Sequence, residues 1–220
     1  DLYAAGAVEA GDEDDYFQSN LFTVARRRVV WLSVLVVASF FTSQVIALNE
    51  KVLKEVVLLA AFIPLLAGTG GNVGAQSSTV VIRGLSTKSI SSLGPFKAVV
   101  RETASGALLG LLMMLLVVPF AWWRGESPLI GISVGISLLA ITTLAATAGA
   151  AFPLLFDRMG LDPAFMSTPF ITTCTDVVGT LIYLKTAEWL LLNAPQLLEA
   201  TSISTHLLAS FAFREFVYVS

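Results

Sequence analysis

A single acid sits in the middle of a hydrophobic span, and the residues around it are the ones best suited to chemistry. Asp176 lies in Thr168–Leu192, TPFITTCTDVVGTLIYLKTAEWLLL, a stretch long enough to cross a bilayer. A carboxylate at mid-membrane costs about 2.5–3.5 kcal/mol on insertion scales, so such a residue is a functional candidate by default. Thr168, Thr172, Asp176, Gly179, Thr180 and Tyr183 recur at three- and four-residue spacings and therefore share one helix face, with Thr173 beside them. Ile171, Val178, Ile182 and Leu190 lie mostly away from that stripe. Hydroxyls, an acid and a bare glycine backbone on one side, with hydrocarbon on the other, suit a helix that lines a polar path.

A second polar segment precedes it. Gly68-Thr-Gly-Gly-Asn-Val-Gly-Ala-Gln-Ser-Ser-Thr79 carries four glycines and a run of amides and hydroxyls at the end of an apolar stretch. Backbone that departs from helix at membrane depth is tolerated only against protein or a water-filled cavity. The segment therefore reads as a polar constriction beside Asp176, or else as a tight packing knuckle. Asn72 and Gln76 are four apart and share a face, while Gly70 and Gly74 allow another helix to come near.

The elements that must position these residues are membrane helices. Hydrophobic residues make up 55% of the chain and charged ones only 13%, far from soluble usage. Five apolar stretches stand out, at about 29–48, 52–68, 98–123, 129–156 and 169–192. They are too continuous for the alternation of a membrane barrel. The expected architecture is all-α and polytopic, with five transmembrane helices over residues 29–192, a polar lead-in over 1–28 and a tail over 193–220. Gly106 and Gly110 in the third span, and Gly131, Gly135 and Gly149 in the fourth, read as close helix packing. Trp122-Trp123 reads as an interfacial aromatic belt.

Arg26–Arg28, Arg83, Lys88, Lys97, Arg101 and Arg158 gather on one side of these spans. Lys51, Lys54 and Arg124 lie on the other, with acids beside them. That bias predicts a cytoplasmic N-terminus in the inner (plasma) membrane, with lipids around the chain and no nucleic-acid partner. Asp12, Glu13, Asp14 and Asp15 form a solvated run, and the opening residues lack the order of a signal peptide. A start at Asp rather than Met suggests a piece of a longer protein. Glu188 with Lys185 reads as the outer end of the fifth span, and Asp157 and Asp162 as solvated acids flanking a short cytoplasmic turn.

Enzyme chemistry is poorly supported. Cys174 and His206 are the only cysteine and histidine, so soft metal sites and a histidine-containing triad are disfavoured. An intramembrane aspartyl protease needs two carboxylates, and no HExxH helix is present. Gly131-Ile-Ser-Val-Gly135 matches GxSxG in letters only, without the strand-turn-helix context.

On these residues the chain resembles the MgtE-type magnesium channel and transporter family. GTGGNVGAQSSTVVIRGLS at Gly68–Ser86 looks like that family's signature, PFITTCTDVVGTLIYL at Pro169–Leu184 is similar to its last transmembrane helix, and RRRVVWL at Arg26–Leu32 is similar to its approach to the first span. The resemblance implies a homodimer with the ion path between subunits and Asp176 as the principal ion-binding acid. It also implies that backbone oxygens near Thr168, Thr172 and Gly68 line that path. Thr168 stands where many members have Asn, and Ala75 where many have a polar residue. Members usually carry a cytoplasmic region before the membrane domain, and residues 1–28 resemble only the end of the connecting helix.

The implied cargo fits hard-cation chemistry. Mg2+ prefers octahedral oxygen coordination, gives up water reluctantly and is held by one or two carboxylates plus waters. Mn2+, Co2+ and Ca2+ are the competing divalent ions. The expected function is a magnesium channel. The alternative is a secondary transporter coupling a divalent cation to H+ or Na+, although a second intramembrane acid for a relay is not evident in the sequence.

Overall fold

The computed structural model of the chain describes residues 21–90, 94–123 and 127–193. Among them the regular structure is helical: α1 (Leu21–Leu48), α2 (Glu50–Glu55), α3 (Leu58–Ser86), α4 (Pro95–Trp123), α5 (Pro128–Arg158) and α6 (Pro163–Asn193). The acidic run, Arg124 and Glu126, His206 and the tail from residue 194 lie outside the described residues. By length and composition α3, α4 and α5 can each cross a membrane, and Leu32–Leu48 of α1 is a shorter apolar helix. α6 is as long as α5, at 31 residues, but its threonines and Asp176 lower its apolarity. Three spans, rather than five, are thus apparent from apolarity alone.

Buried α5 is the hub of the bundle. It packs on α3, α4 and α6, while α3 also meets α6 and α1 packs chiefly on α6. Small residues set these approaches. A side chain at Gly131 would come within 3.1 Å of Ala121, and one at Gly135 within 2.8 Å of Met114. Thr142, held by its own hydroxyl to the Leu138 carbonyl at 2.8 Å, crowds Gly110 from across the α4–α5 seam. Thr103 and Thr147 hydrogen-bond across the same seam at 2.9 Å. The expected role of these glycines in packing is met. Trp122 and Trp123 are exposed at the end of α4.

The glycine-rich segment does not break the helix. α3 runs without interruption from Leu58 to Ser86, so the apolar stretch that the glycines close at about residue 68 continues as helix through Gly68–Thr79. Four glycines weaken a helix in water, but in a bilayer the backbone has no water to turn to, so intrahelical bonds persist. Gly70 and Gly74 face inward, where a Cβ at Gly70 would meet Ile141 at 2.7 Å and one at Gly74 would overlap Ile171. The packing knuckle and the polar face coexist on opposite sides of one helix.

The turn between α5 and α6 is short and fully capped. Gly160 takes φ +71°, its N–H bonds the Asp157 carbonyl at 3.1 Å, and the Leu161 N–H bonds the Phe156 carbonyl at 2.9 Å. That pair of bonds is the Schellman closure that left-handed glycine allows. Asp162 then caps α6, its Oδ1 accepting the Ala164 N–H at 2.8 Å, with Pro163 at the first helical position. Asp162 is therefore a helix cap, a role more specific than the solvated acid expected.

Candidate ion-conducting site

Threonine and aspartate give α6 its polar edge, and the packing of α3 decides which part of that edge stays open. Thr168, Thr172, Thr173 and Asp176 are half-buried, whereas Gly179, Thr180 and Tyr183 lie inside the protomer. The single stripe read from periodicity thus divides near Asp176. A straight helix crossing its neighbours at an angle presents a drifting face to them, so residues aligned on one helix need not share one environment. Tyr183 is fully buried and donates its hydroxyl hydrogen to the Leu59 carbonyl at 3.0 Å, pinning α6 to the start of α3.

Contacts along α3 and α6 fix their antiparallel register. A Cβ at Gly70 would lie 3.5 Å from Thr175 Cβ, and one at Gly71 4.0 Å from the Thr172 methyl. With Leu59 opposite Tyr183, this register brings Gly68 to the height of Asp176, Asn72 to that of Thr173 and Gln76 to that of Thr168. Gly68, Asn72 and Gln76 are all exposed. Each candidate from the two sequence segments thus falls within the same stretch of the bundle, except that Gly179 and Thr180 are turned inward.

Hydroxyl chemistry along α6 is mostly local. Thr172 donates to the Thr168 and Pro169 carbonyls, both at 3.1 Å, and Thr175 to those of Ile171 at 3.0 Å and Thr172 at 2.9 Å. Such back-bonding is how threonine hydroxyls are satisfied in an apolar helix. It leaves the Thr172 oxygen lone pairs as acceptors at the half-buried edge. Pro169 carries no N–H, so the carbonyl of Phe165, four residues earlier, lacks its usual helical donor. Periodicity passes over Pro169, although a proline within a polar helix is the visible signal for a freed carbonyl.

Asp176 has no hydrogen-bond or ion-pair partner among the described residues. Nor do the described residues contain a cluster of three or more His, Cys, Asp or Glu able to enclose a metal. One carboxylate in a setting of hydroxyls and helix backbone suits an oxygen-preferring cation that retains water. Glu188 is taken up by Lys185 at 2.7 Å near the far end of α6.

The model of the MgtE divalent cation transporter family matches residues 63–186, which contain Gly68–Thr79 and the polar stripe from Thr168 to Tyr183. The chain belongs to that family. It is 39% identical over 191 residues to the magnesium transporter MgtE of Thermus thermophilus, covering 87% of this chain and 42% of that relative. The magnesium transporters MgtE of Enterococcus faecalis and Bacillus subtilis are 34% and 33% identical, over 81% and 79% of this chain. The chain spans about two-fifths of the length of these relatives. Membership puts it in a family of divalent cation transporters, not of enzymes.

Proposed function

We propose that this chain is the membrane domain of a magnesium channel, conducting Mg2+ down its electrochemical gradient. In this reading α1, α3, α4, α5 and α6 span the inner membrane as the unit 29–192, with residues 1–28 leading in from the cytoplasm. Two copies enclose the path. The observation that carries the reading is the half-buried Asp176 carboxylate, without a partner among the described residues, at the open edge of α6 and level with Gly68, with exposed Asn72 about one turn along at the height of Thr173. A single copy offers one negative charge there. Two copies offer two, matching a divalent ion, and a hydrated Mg2+ could be held by both carboxylates through its waters. Thr168 and Thr172 oxygens would accept hydrogen bonds from those waters, and Asn72, Gln76 and Thr173 would continue the polar wall.

The test is Mg2+ uptake into proteoliposomes under an imposed potential, with the native chain and Asp176→Asn compared. Potential-driven uptake lost on substitution supports the assignment. Undiminished uptake by Asp176→Asn would refute it, and uptake that requires an H+ or Na+ gradient would favour a coupled transporter.

A further inference from the structure

Five buried side-chain hydroxyls have no hydrogen-bond partner among the described residues: Thr42, Ser78, Ser133, Ser137 and Ser167. Their placement is not random. Ser167 is on α6 itself, and Thr42 is on α1, which packs chiefly on α6. Ser78 is one turn from Gly74, which abuts Ile171 of α6. Ser133 shares a small cavity with Ala187, Leu190 and Leu191 of α6, and that cavity is too narrow to admit a water. Ser137 is one turn from Ser133 and one from Ile141, which lies against Gly179 of α6. Ser167 and Ser133 thus border the helix that carries Asp176, and the other three lie on helices that pack on it.

The threonines at the α4–α5 seam are satisfied, as Thr172 and Thr175 are within α6, and one pair there also bonds across the seam. There Thr103 and Thr147 bond each other, and Thr142 and Thr143 bond the Leu138 and Leu139 carbonyls. A buried hydroxyl without a partner has forfeited its hydration for nothing, and native proteins keep such groups where a second arrangement satisfies them or where strain is used. A long-range side-chain hydrogen bond, Tyr183 to Leu59, ties α6 to α3 near one end. Toward the other end α6 contains Pro169, which weakens the helix locally.

We infer that α6 is the moving part of this bundle, shifting about the Tyr183–Leu59 anchor against a rigid α3–α4–α5 body into a second arrangement that gives its bordering hydroxyls partners. The inference rests on the proposed conduction, since that motion would open and close the edge bearing Asp176. Packed interfaces are bistable rather than continuously deformable, so two discrete positions are expected.

Paired cysteines in a Cys174→Ala background test it. Ile141→Cys with Gly179→Cys ties α5 to α6, and Thr103→Cys with Thr147→Cys ties α4 to α5. Oxidation of the first pair should lower Mg2+ uptake at least tenfold and reduction should restore it, whereas oxidation of the second should leave uptake unchanged. Undiminished uptake with α5 and α6 linked overturns the inference, as does equal loss with α4 and α5 linked. Should the reduced proteins fail to conduct, it is the proposed function that fails. The motion is then read from spin labels, which need no conduction. A pair at Leu181 and Leu112 should show a second distance population between Mg2+ and chelator, while a pair at Leu112 and Ile136 shows one. One unchanged distance for both pairs overturns the inference.

Discussion

Gly74→Ala adds one methyl group where α3, α5 and α6 meet, and the structure indicates what that methyl would strike. It would overlap the Ile171 side chain and stand 3.3 Å from the Ala145 carbonyl oxygen. Ile171 is 1% exposed and β-branched, so in a helix it has little rotamer freedom with which to yield. The Ala145 oxygen is backbone and cannot turn aside. Overpacking of this kind costs about 1–3 kcal/mol. The usual helix-propensity gain of Ala over Gly, about 1 kcal/mol in water, offsets little of this, because a chain left in the bilayer is already helical. Gly68→Ala is the matched control, since nothing lies within 4 Å of a Cβ there. Thermal unfolding in detergent, followed by tryptophan fluorescence and by retention of the monodisperse peak, reads the difference. At about 2–4 °C per kcal/mol for a chain of this size, Gly74→Ala should melt about 2–12 °C lower and Gly68→Ala within about 2 °C of the native chain. Equal melting of Gly74→Ala and the native chain would show that the three-helix junction is not packed as described.

Three further outcomes follow from named contacts. Tyr183→Phe keeps the ring but loses the bond to the Leu59 carbonyl, and should destabilise by about 0.5–1.5 kcal/mol in the same melts. Asp162→Ala removes the cap of α6 and should cost about 0.5–2 kcal/mol, with Asp162→Asn losing much less; equal losses would mean that charge, not capping, matters. A double-mutant cycle on Thr103→Val and Thr147→Val should give a coupling of about 0.6 kcal/mol, the size found for hydrogen bonds between membrane helices, and a coupling of zero would remove that bond from the α4–α5 seam.

Much of this was legible in the chain, and the exceptions have physical causes. Long apolar stretches fix helices wherever backbone groups must be satisfied internally, so four of the five stretches match helices closely, while 52–68 covers α2 and only the first part of α3, which runs on to Ser86. The packing glycines were legible because small residues four apart have one common use in membranes. Gly68–Thr79 was ambiguous in the chain because its local composition argues for a break, while the surrounding bilayer and the α5 and α6 surfaces argue for helix. The division of the α6 stripe was not legible at all. Periodicity tells which side chains share a face, but not where along the helix a neighbour covers it, and Thr180 is buried where Thr172 is not. Asp162-Pro163 was readable as a cap followed by a first-turn proline, and proximity to Asp157 and Arg158 drew it into a charge argument instead.

The capped turn of Met159–Asp162 bears on how the protein is made. A helix with threonines and an acid at its centre is a poor substrate for the translocon when offered alone, given the penalty that a mid-membrane carboxylate carries. Here it emerges from the ribosome four residues behind one of the most apolar helices of the chain, joined by a turn that folds the two back to back without any partner from elsewhere. α5 and α6 can thus enter the bilayer as a hairpin, the first helix carrying the second. Lengthening that turn with a flexible insert should leave the finished bundle nearly untouched while lowering the fraction of chains in which the last helix is integrated, which glycosylation-site mapping of nascent chains would count directly.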